Sequence, residues 1–355
     1  MEYVIGGIQQ IGIGVMNIEE SWKWYIDMFG MDCKIFDDDS EANLMSRYTG
    51  GTPVKRRAVL AYNLQSGSGF EVWQYKGRKP AEKSTMIKLG DLGILICKIK
   101  TRNLKKTFEY FGRKNVNILG KPVRDPAGSE SFFMKDPYNN LFQVMEFNHW
   151  FIDEKKPTGG SCGAIIGVSD IDKARVVYSG ILGYDEVVYD STGIFPDLAC
   201  LPGGDKKIRR VLLKCSKPFN GPFIKVFGQS VIELVCDPEE SGEKTLSGRL
   251  WGDPGFIHLC YDISGIDSLM ETCNKAGHPF TVDSRSNQNG DSFRMGAAAG
   301  HFAYIEDPDG TLIEFVETHK LPVLKKFEWY IDLKKRRTYK PLPDWMIKML
   351  RFSKV

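Results

Sequence analysis

The chain opens on a strict alternation. Ile11, Ile13 and Val15 fall on one face of a strand and Gln10, Gly12 and Gly14 on the other. The period then changes to that of a helix. Ile18, Trp22, Tyr25 and Phe29 form one apolar stripe, with Asn17 at the N-cap position and Gly30 where a left-handed C-terminal glycine belongs. The same succession recurs along the chain. Apolar strands near 8–15, 94–99, 163–168 and 256–263 each precede a helix, and further stripes run through Leu104, Phe108 and Phe111 and through Ile266, Leu269, Met270 and Cys273. Alternating segments follow each helix. Two of them turn at Asp136-Pro137-Tyr138-Asn139-Asn140 and Asp307-Pro308-Asp309-Gly310, which read as hairpins. The predicted unit is strand, helix and three strands, four times over.

The units are related. GVMNIEESWKWYIDMFGMD (14–32) matches GVSDIDKARVVYSGILGYD (167–185) at an offset of 153, and KDPYNNLFQVMEF (135–147) matches EDPDGTLIEFVET (306–318) at 171. The second half therefore repeats the first. The reading is a first half at 1–155 (modules 5–78 and 90–148), a linker at 156–161, and a second half at 162–320 (modules 162–238 and 255–320). A C-terminal extension covers 321–355.

Composition narrows the class. Of 355 residues, 42% are hydrophobic and 26% charged, as in an ordinary globular protein. No run of 18 apolar residues predicts a membrane span, and the first strand begins without a signal sequence. Eight cysteines without a C-x-x-C pair read as buried reduced thiols, so a cytoplasmic location is expected. The net charge of +3 hides an asymmetry, because 324–355 hold ten Lys/Arg against three acids and leave the rest at −4. That distribution argues against nucleic acid as a partner.

A strand–helix–three-strand unit covers one sheet face with its helix and leaves the other bare; two such units side by side can curl into a cup. The opening Gly14-Val15, Asn17-Ile18, Tyr25 and Gly30, its counterpart Gly167-Val168, Asp170-Ile171, Tyr178 and Gly183, and the closing Asp307-Pro308-Asp309-Gly310 with Ile313-Glu314 resemble the vicinal oxygen chelate superfamily over about residues 5–320. That group includes glyoxalase I, extradiol dioxygenases, methylmalonyl-CoA epimerase and bleomycin-binding proteins. The resemblance implies an α+β fold: four βαβββ modules in two pseudo-symmetric halves, whose curved mixed sheets form cup-shaped half-barrels with helices outside.

It also implies metal ligands at two places per module, on the first strand and mid-way along the last. These are Gln10 and Glu71 in module 1, Ile94 and Gln143 in module 2, Gly163 and Glu233 in module 3, and His258 and Glu314 in module 4. Strand parity points the same way. Glu71, Trp73 and Tyr75 share a face, and Ile313 and Phe315 pack outward, which turns Glu314 inward. Pairing modules 1 and 4 assembles Gln10, Glu71, His258 and Glu314 and leaves a vacant second set. Pairing 1 with 2 and 3 with 4 splits the donors and groups Glu233 with His258 and Glu314. The first pairing is favoured, and its set resembles that of glyoxalase I. Three oxygens and one imidazole suit one divalent ion, Zn, Ni, Co, Mn or Fe.

The implied activity is a metal-dependent lyase or isomerase working through an enediolate on a small vicinal-oxygen substrate, with Glu314 as base and Glu71 opposite it. The alternatives are an Fe(II) ring-cleaving dioxygenase and a non-catalytic binder of an aromatic compound. Glutathione-binding relatives carry Arg where this chain has Gly14 and Pro254, so a glutathione-linked substrate is not expected. Trp73 and Tyr75 suggest an aromatic substrate wall. The segment 284–300 is a candidate lid with Arg294 as an anion contact. His301 reads as loop, and His149, His278 and His319 as surface or turn positions. Trp345, Ile347 and Leu350 of the extension are expected to pack on the chain's own domain or on a dimer mate.

Overall fold

The structure, a computed structural model, describes residues 2–82, 86–286, 293–295, 298–324, 329–336 and 340–355. Module 1 consists of β1 (Val4–Gly14), α1 (Ile18–Phe29), β2 (Cys33–Glu41), β3 (Lys55–Tyr62) and β4 (Gly69–Tyr75). Module 2 has β5 (Gly93–Thr101), α2 (Leu104–Arg113), the short β6 (Asn117–Ile118) and β7 (Val123–Arg124), β8 (Glu130–Lys135) and β9 (Leu141–Glu146). Module 3 has β10 (Ser161–Gly167), α3 (Ile171–Arg175) running into a π turn, β11 (Glu186–Gly193), β12 (Ile208–Lys214), α4 (Ile224–Phe227) and β13 (Val231–Cys236). Module 4 has β14 (Gly255–Ser264), α5 (Ile266–Lys275), β15 (Val282–Asp283), β16 (Phe293–Met295), β17 (Ala298–Glu306) and β18 (Leu312–Leu324). The extension adds β19 (Trp329–Asp332) and α6 (Asp344–Lys348).

Local chemistry sets the helix ends. The Asn17 carboxamide accepts from the amides of Glu19 and Glu20, Asn103 from Lys106, and Asp170 from Asp172 and Lys173. Gly30 closes α1 at φ 63°. In α5 the cap residue is Gly265, and the Glu317 carboxylate of β18 takes the amides of Gly265 (2.6 Å) and Ile266 (3.4 Å) instead.

Two sheets result. One runs β15-β17-β18-β14-β1-β4-β3-β2 and the other β11-β12-β13-β10-β5-β9-β8-β6. The antiparallel junctions are β1 with β14 and β5 with β10. Module 1 thus completes module 4, and module 2 completes module 3, so each half of the sequence gives one module to each sheet. The helices lie on the convex faces, where one core joins both sheets. Ile11, Tyr25, Phe29 and Phe70 of module 1 pack in it with Phe142 of module 2 and with Tyr178 and Phe315 of the second half.

Each junction carries a β-bulge. Gly12 pairs with His258 but Ile13 with Phe256, so Ile257 is an extra residue and joins the inner-face cluster with Trp73 and Tyr304. In the other sheet Ile165 pairs with Ile96 and Ile166 with Ile94. The counterpart of His258 is therefore Ile96, two residues beyond the position expected from sequence, with the extra residue Leu95 standing where Ile257 does. In the extension, Leu342 and Ile347 bury against the inner cluster of the first cup, and the Val355 amide donates to the Asp32 carbonyl at 3.1 Å. Trp345, expected to pack, is 57% exposed. Among the described residues no helix is long and apolar enough to cross a membrane.

Candidate metal centre

Four strands deliver one side chain each to the floor of the first cup: Gln10 from β1, Glu71 from β4, His258 from β14 and Glu314 from β18. The ligand atoms of Glu71, His258 and Glu314 all lie within 4.8 Å of one another. His258 Nε2 stands 3.3 Å from Glu71 Oε2 and 3.3 Å from Glu314 Oε2. Gln10 Nε2 donates to Glu71 Oε2 at 3.0 Å and reaches Glu314 Oε2 at 3.5 Å. Gly12 makes the convergence possible, since a Cβ there would lie 2.5 Å from His258 Cε1 and 2.7 Å from Nε2.

The polar balance of this cluster is incomplete. His258 is fully buried, yet neither ring nitrogen has an aligned hydrogen-bond partner, and Gln10 Oε1 has none either. Burial opposes protonation of His258, but the Glu314 and Glu71 carboxylates outweigh it and raise its pKa. Burial, reinforced by repulsion from Glu71, also raises the Glu314 pKa against the pull of His258, the Cys260 thiol and the Tyr304 hydroxyl. Two carboxylates facing the Nε2 of one imidazole, with Gln10 Oε1 also unsatisfied, form an electron-rich nest that a divalent cation would satisfy. Turning the Gln10 amide over presents Oε1 to the same point.

A cleft of about 320 Å³ opens over this floor. Trp73, Phe302, Tyr304 and Trp251 form much of its wall, and Asp38 and Arg56 lie at its polar side. Trp251 comes from the connection between modules 3 and 4, which crosses module 1 as a strap. The Tyr75 hydroxyl donates to the Trp251 carbonyl (2.5 Å), the Trp251 amide to the Tyr48 carbonyl (3.0 Å), and Arg78 pairs with the buried Asp253 (2.6 Å). Gly252, at φ +93°, lets the strap pass, because a Cβ there would meet the Trp73 ring at 2.1 Å.

The equivalent place in the second cup is occupied by protein. Glu233 and Gln143 stand where Glu71 and Glu314 do, while Gly163 and Ile96 replace Gln10 and His258. The Lys98 ammonium lies between them, 2.8 Å from Glu233 Oε2 and hydrogen-bonded to Gln143. Arg210 bridges Glu233 to Asp197, and Tyr189 donates to Glu233 at 2.8 Å. Against its burial, Lys98 and Arg210 hold the Glu233 pKa down at about 2. Glu233 is thus in a buried ion-pair network, in the other cup from His258 and Glu314.

The remaining sequence-derived residues fall as follows. Trp73 lines the cleft; Tyr75 stands one step along β4, edge-on to Trp73 with centroids 4.6 Å apart, and holds the strap. The side chain of Arg294, and residues 287–292 and 296–297 of the candidate lid, lie outside the described residues. His301 is in β17 rather than a loop. His319 is 8% exposed rather than at the surface, with its ring 4.6 Å from that of His301 and its Nε2 2.8 Å from Glu317. Sequence reading missed Tyr304 and Trp251. Tyr304 pairs across the strands with Glu314, so alternation along β17 carried the signal. Trp251 lies in a connection without periodicity, and nothing local marks it.

Residues 7–144 match the family described as the Glyoxalase/Bleomycin resistance protein/Dioxygenase superfamily. Similar solved structures include a putative dioxygenase from Bacillus subtilis (TM-score 0.56, 14% identity, 88% of this chain and 86% of that one). Glyoxalase I from Zea mays is another (TM-score 0.52, 13% identity, 89% and 92%). At these identities the likeness is one of fold. No curated protein matches the sequence. Residues 7–144 thus match the Glyoxalase/Bleomycin resistance protein/Dioxygenase superfamily, and the paired cups of the whole chain are similar in fold to these solved structures.

Proposed function

We propose that the chain is a metal-dependent lyase or isomerase of the glyoxalase type, acting on a small substrate with two neighbouring oxygens. The observation that carries this reading is the convergence of Glu71, His258 and Glu314 beneath an open cleft, with His258 Nε2 and Gln10 Oε1 unsatisfied. Gln10, Glu71, His258 and Glu314 would hold one divalent ion, Zn, Ni, Co, Mn or Fe. The bound ion supplies Lewis-acid polarisation of a substrate oxygen and so acidifies the adjacent C–H.

The chain's own groups then move the proton. Glu314 accepts it from the carbon next to the carbonyl and later returns it. The Tyr304 hydroxyl and Cys260 thiol beside this carboxylate favour its charged form. Glu71, 13% exposed on its side chain and so nearer the cleft, faces it from the other side and can serve the neighbouring carbon. A glutathione-linked substrate is disfavoured: a side chain at Gly14 would lie 2.1 Å from the Asp253 carbonyl oxygen, so the strap fills the place of the Arg that such relatives carry.

Elemental mass spectrometry combined with α-proton exchange tests this reading. Purified protein should carry one divalent ion per chain and exchange the α-proton of some member of an α-hydroxy and α-dicarbonyl panel in deuterated water. Glu314→Gln should lower exchange by about 10²–10⁴-fold, and His258→Ala should lose the ion. A protein that takes up no divalent ion, or a Glu314→Gln variant that exchanges as fast as the parent, would overturn it. Oxygen uptake with catechols would point to ring cleavage instead.

A further inference from the structure

Trp251 belongs to no module, yet its ring forms part of the wall beside the metal-ligand candidates. It lies near-parallel to the His258 imidazole (centroids 5.9 Å apart, planes at 17°) and steeply inclined to Trp73 (4.9 Å, 68°). Tyr304 stands at 89° to Trp251 and 82° to His258. The cleft is therefore a slot with an aromatic side wall near-parallel to the ring of a metal-ligand candidate, with two further rings set across it. Its position is held from several sides by Tyr75, Tyr48, Arg78 and the glycine at 252. A ring fixed this firmly at the edge of a reaction centre is preorganised to select shape, since no conformational freedom is lost when a ligand packs on it.

Building on the reading above, we infer that Trp251 is a specificity-determining residue, and that the substrate carries a planar aryl group on the carbon next to its chelating oxygens. The two oxygens face Gln10, Glu71, His258 and Glu314. The aryl plane lies along Trp251 and meets Trp73 and Tyr304 edge to face. Aliphatic vicinal-oxygen compounds can occupy the same floor but leave the slot unfilled.

Two hydroxamates, which present vicinal oxygens and undergo no turnover, test the assignment. Benzohydroxamate and acetohydroxamate are titrated into the metal-loaded protein by isothermal calorimetry. The aryl compound should bind about tenfold tighter, the scale of a few well-placed ring contacts. In Trp251→Ala the preference should fall to about twofold with acetohydroxamate affinity unchanged, and Trp251→Phe should restore most of it. Equal binding of the two compounds by the parent protein, or an intact preference in Trp251→Ala, overturns the inference and leaves the metal reading standing. A protein that binds neither compound when metal is supplied overturns both. A Trp251→Ala variant that loses acetohydroxamate as well marks a purely structural strap and also overturns the inference.

Discussion

The metal-ligand candidates depend on a residue that contributes no side chain. Gly12 faces His258 across the β1/β14 junction, and any Cβ would press on the imidazole at 2.5–2.7 Å. Gly12→Ala is therefore expected to fold but to displace the ring. Metal affinity followed by competitive titration should fall at least about tenfold, in line with second-layer changes at metal sites. Parent-like affinity would show that the ring has room to move. Gly252→Ala acts differently, because its φ of +93° adds backbone strain to a 2.1 Å clash with Trp73. A loss of roughly 1–3 kcal/mol in stability is expected by denaturant unfolding. The convergence of Gln10, Glu71, His258 and Glu314 was legible in the sequence because each is a polar residue at an inward parity position of an apolar strand. Trp251 was not, because its place is set by contacts with Tyr48 and Tyr75, 203 and 176 positions away.

At the scale of elements, the two cups show one architecture used twice with different charges at the centre. In the first, two carboxylates and an imidazole gather with donor atoms left over. In the second, β5 places Lys98 on the inner face where β14 places Cys260, and its ammonium supplies the positive charge locally. A buried ion pair that loses one partner is costly. Lys98→Met should lower stability by about 3–5 kcal/mol in denaturant unfolding, whereas Lys98→Arg should lose much less. The pH dependence has a definite sign. With its pKa held near 2 against a reference of 4.5, Glu233 contributes stability that is fully present above about pH 4.5 and lost as pH falls through about 2. Removing Lys98 should move the onset of acid unfolding, read by circular dichroism, upward into that window. An unchanged acid transition would show that Arg210 alone holds the charge.

At the scale of the whole molecule, the order of modules in the chain and their order in space differ. Residues 1–155 carry Gln10 and Glu71, but β1 finds its antiparallel partner only in β14. A fragment ending at residue 155 is expected to bind no divalent ion at the parent stoichiometry. Co-expression with 156–355 should restore binding, as elemental analysis of the purified complex would report. Binding by the isolated fragment would contradict the assignment of the four donors to one centre. Much of this molecule is local in origin. Hydrophobic period, cap residues such as Asn17 and Asp170, the glycine at 30 and the two Asp-Pro turns set four similar modules. Strand parity turned Gln10, Glu71 and Glu314 to the inner face, because these signals act over a few residues and are written in consecutive side chains. The tertiary structure alone decided which modules share a cup, that bulges at Leu95 and Ile257 shift what faces inward, that Lys98 fills one centre, and that a strap brings Trp251 to the other. Those outcomes turn on the packing of both sheets against one shared helical core and on contacts between segments far apart in the chain, and a linear pattern carries no record of which distant surfaces will meet.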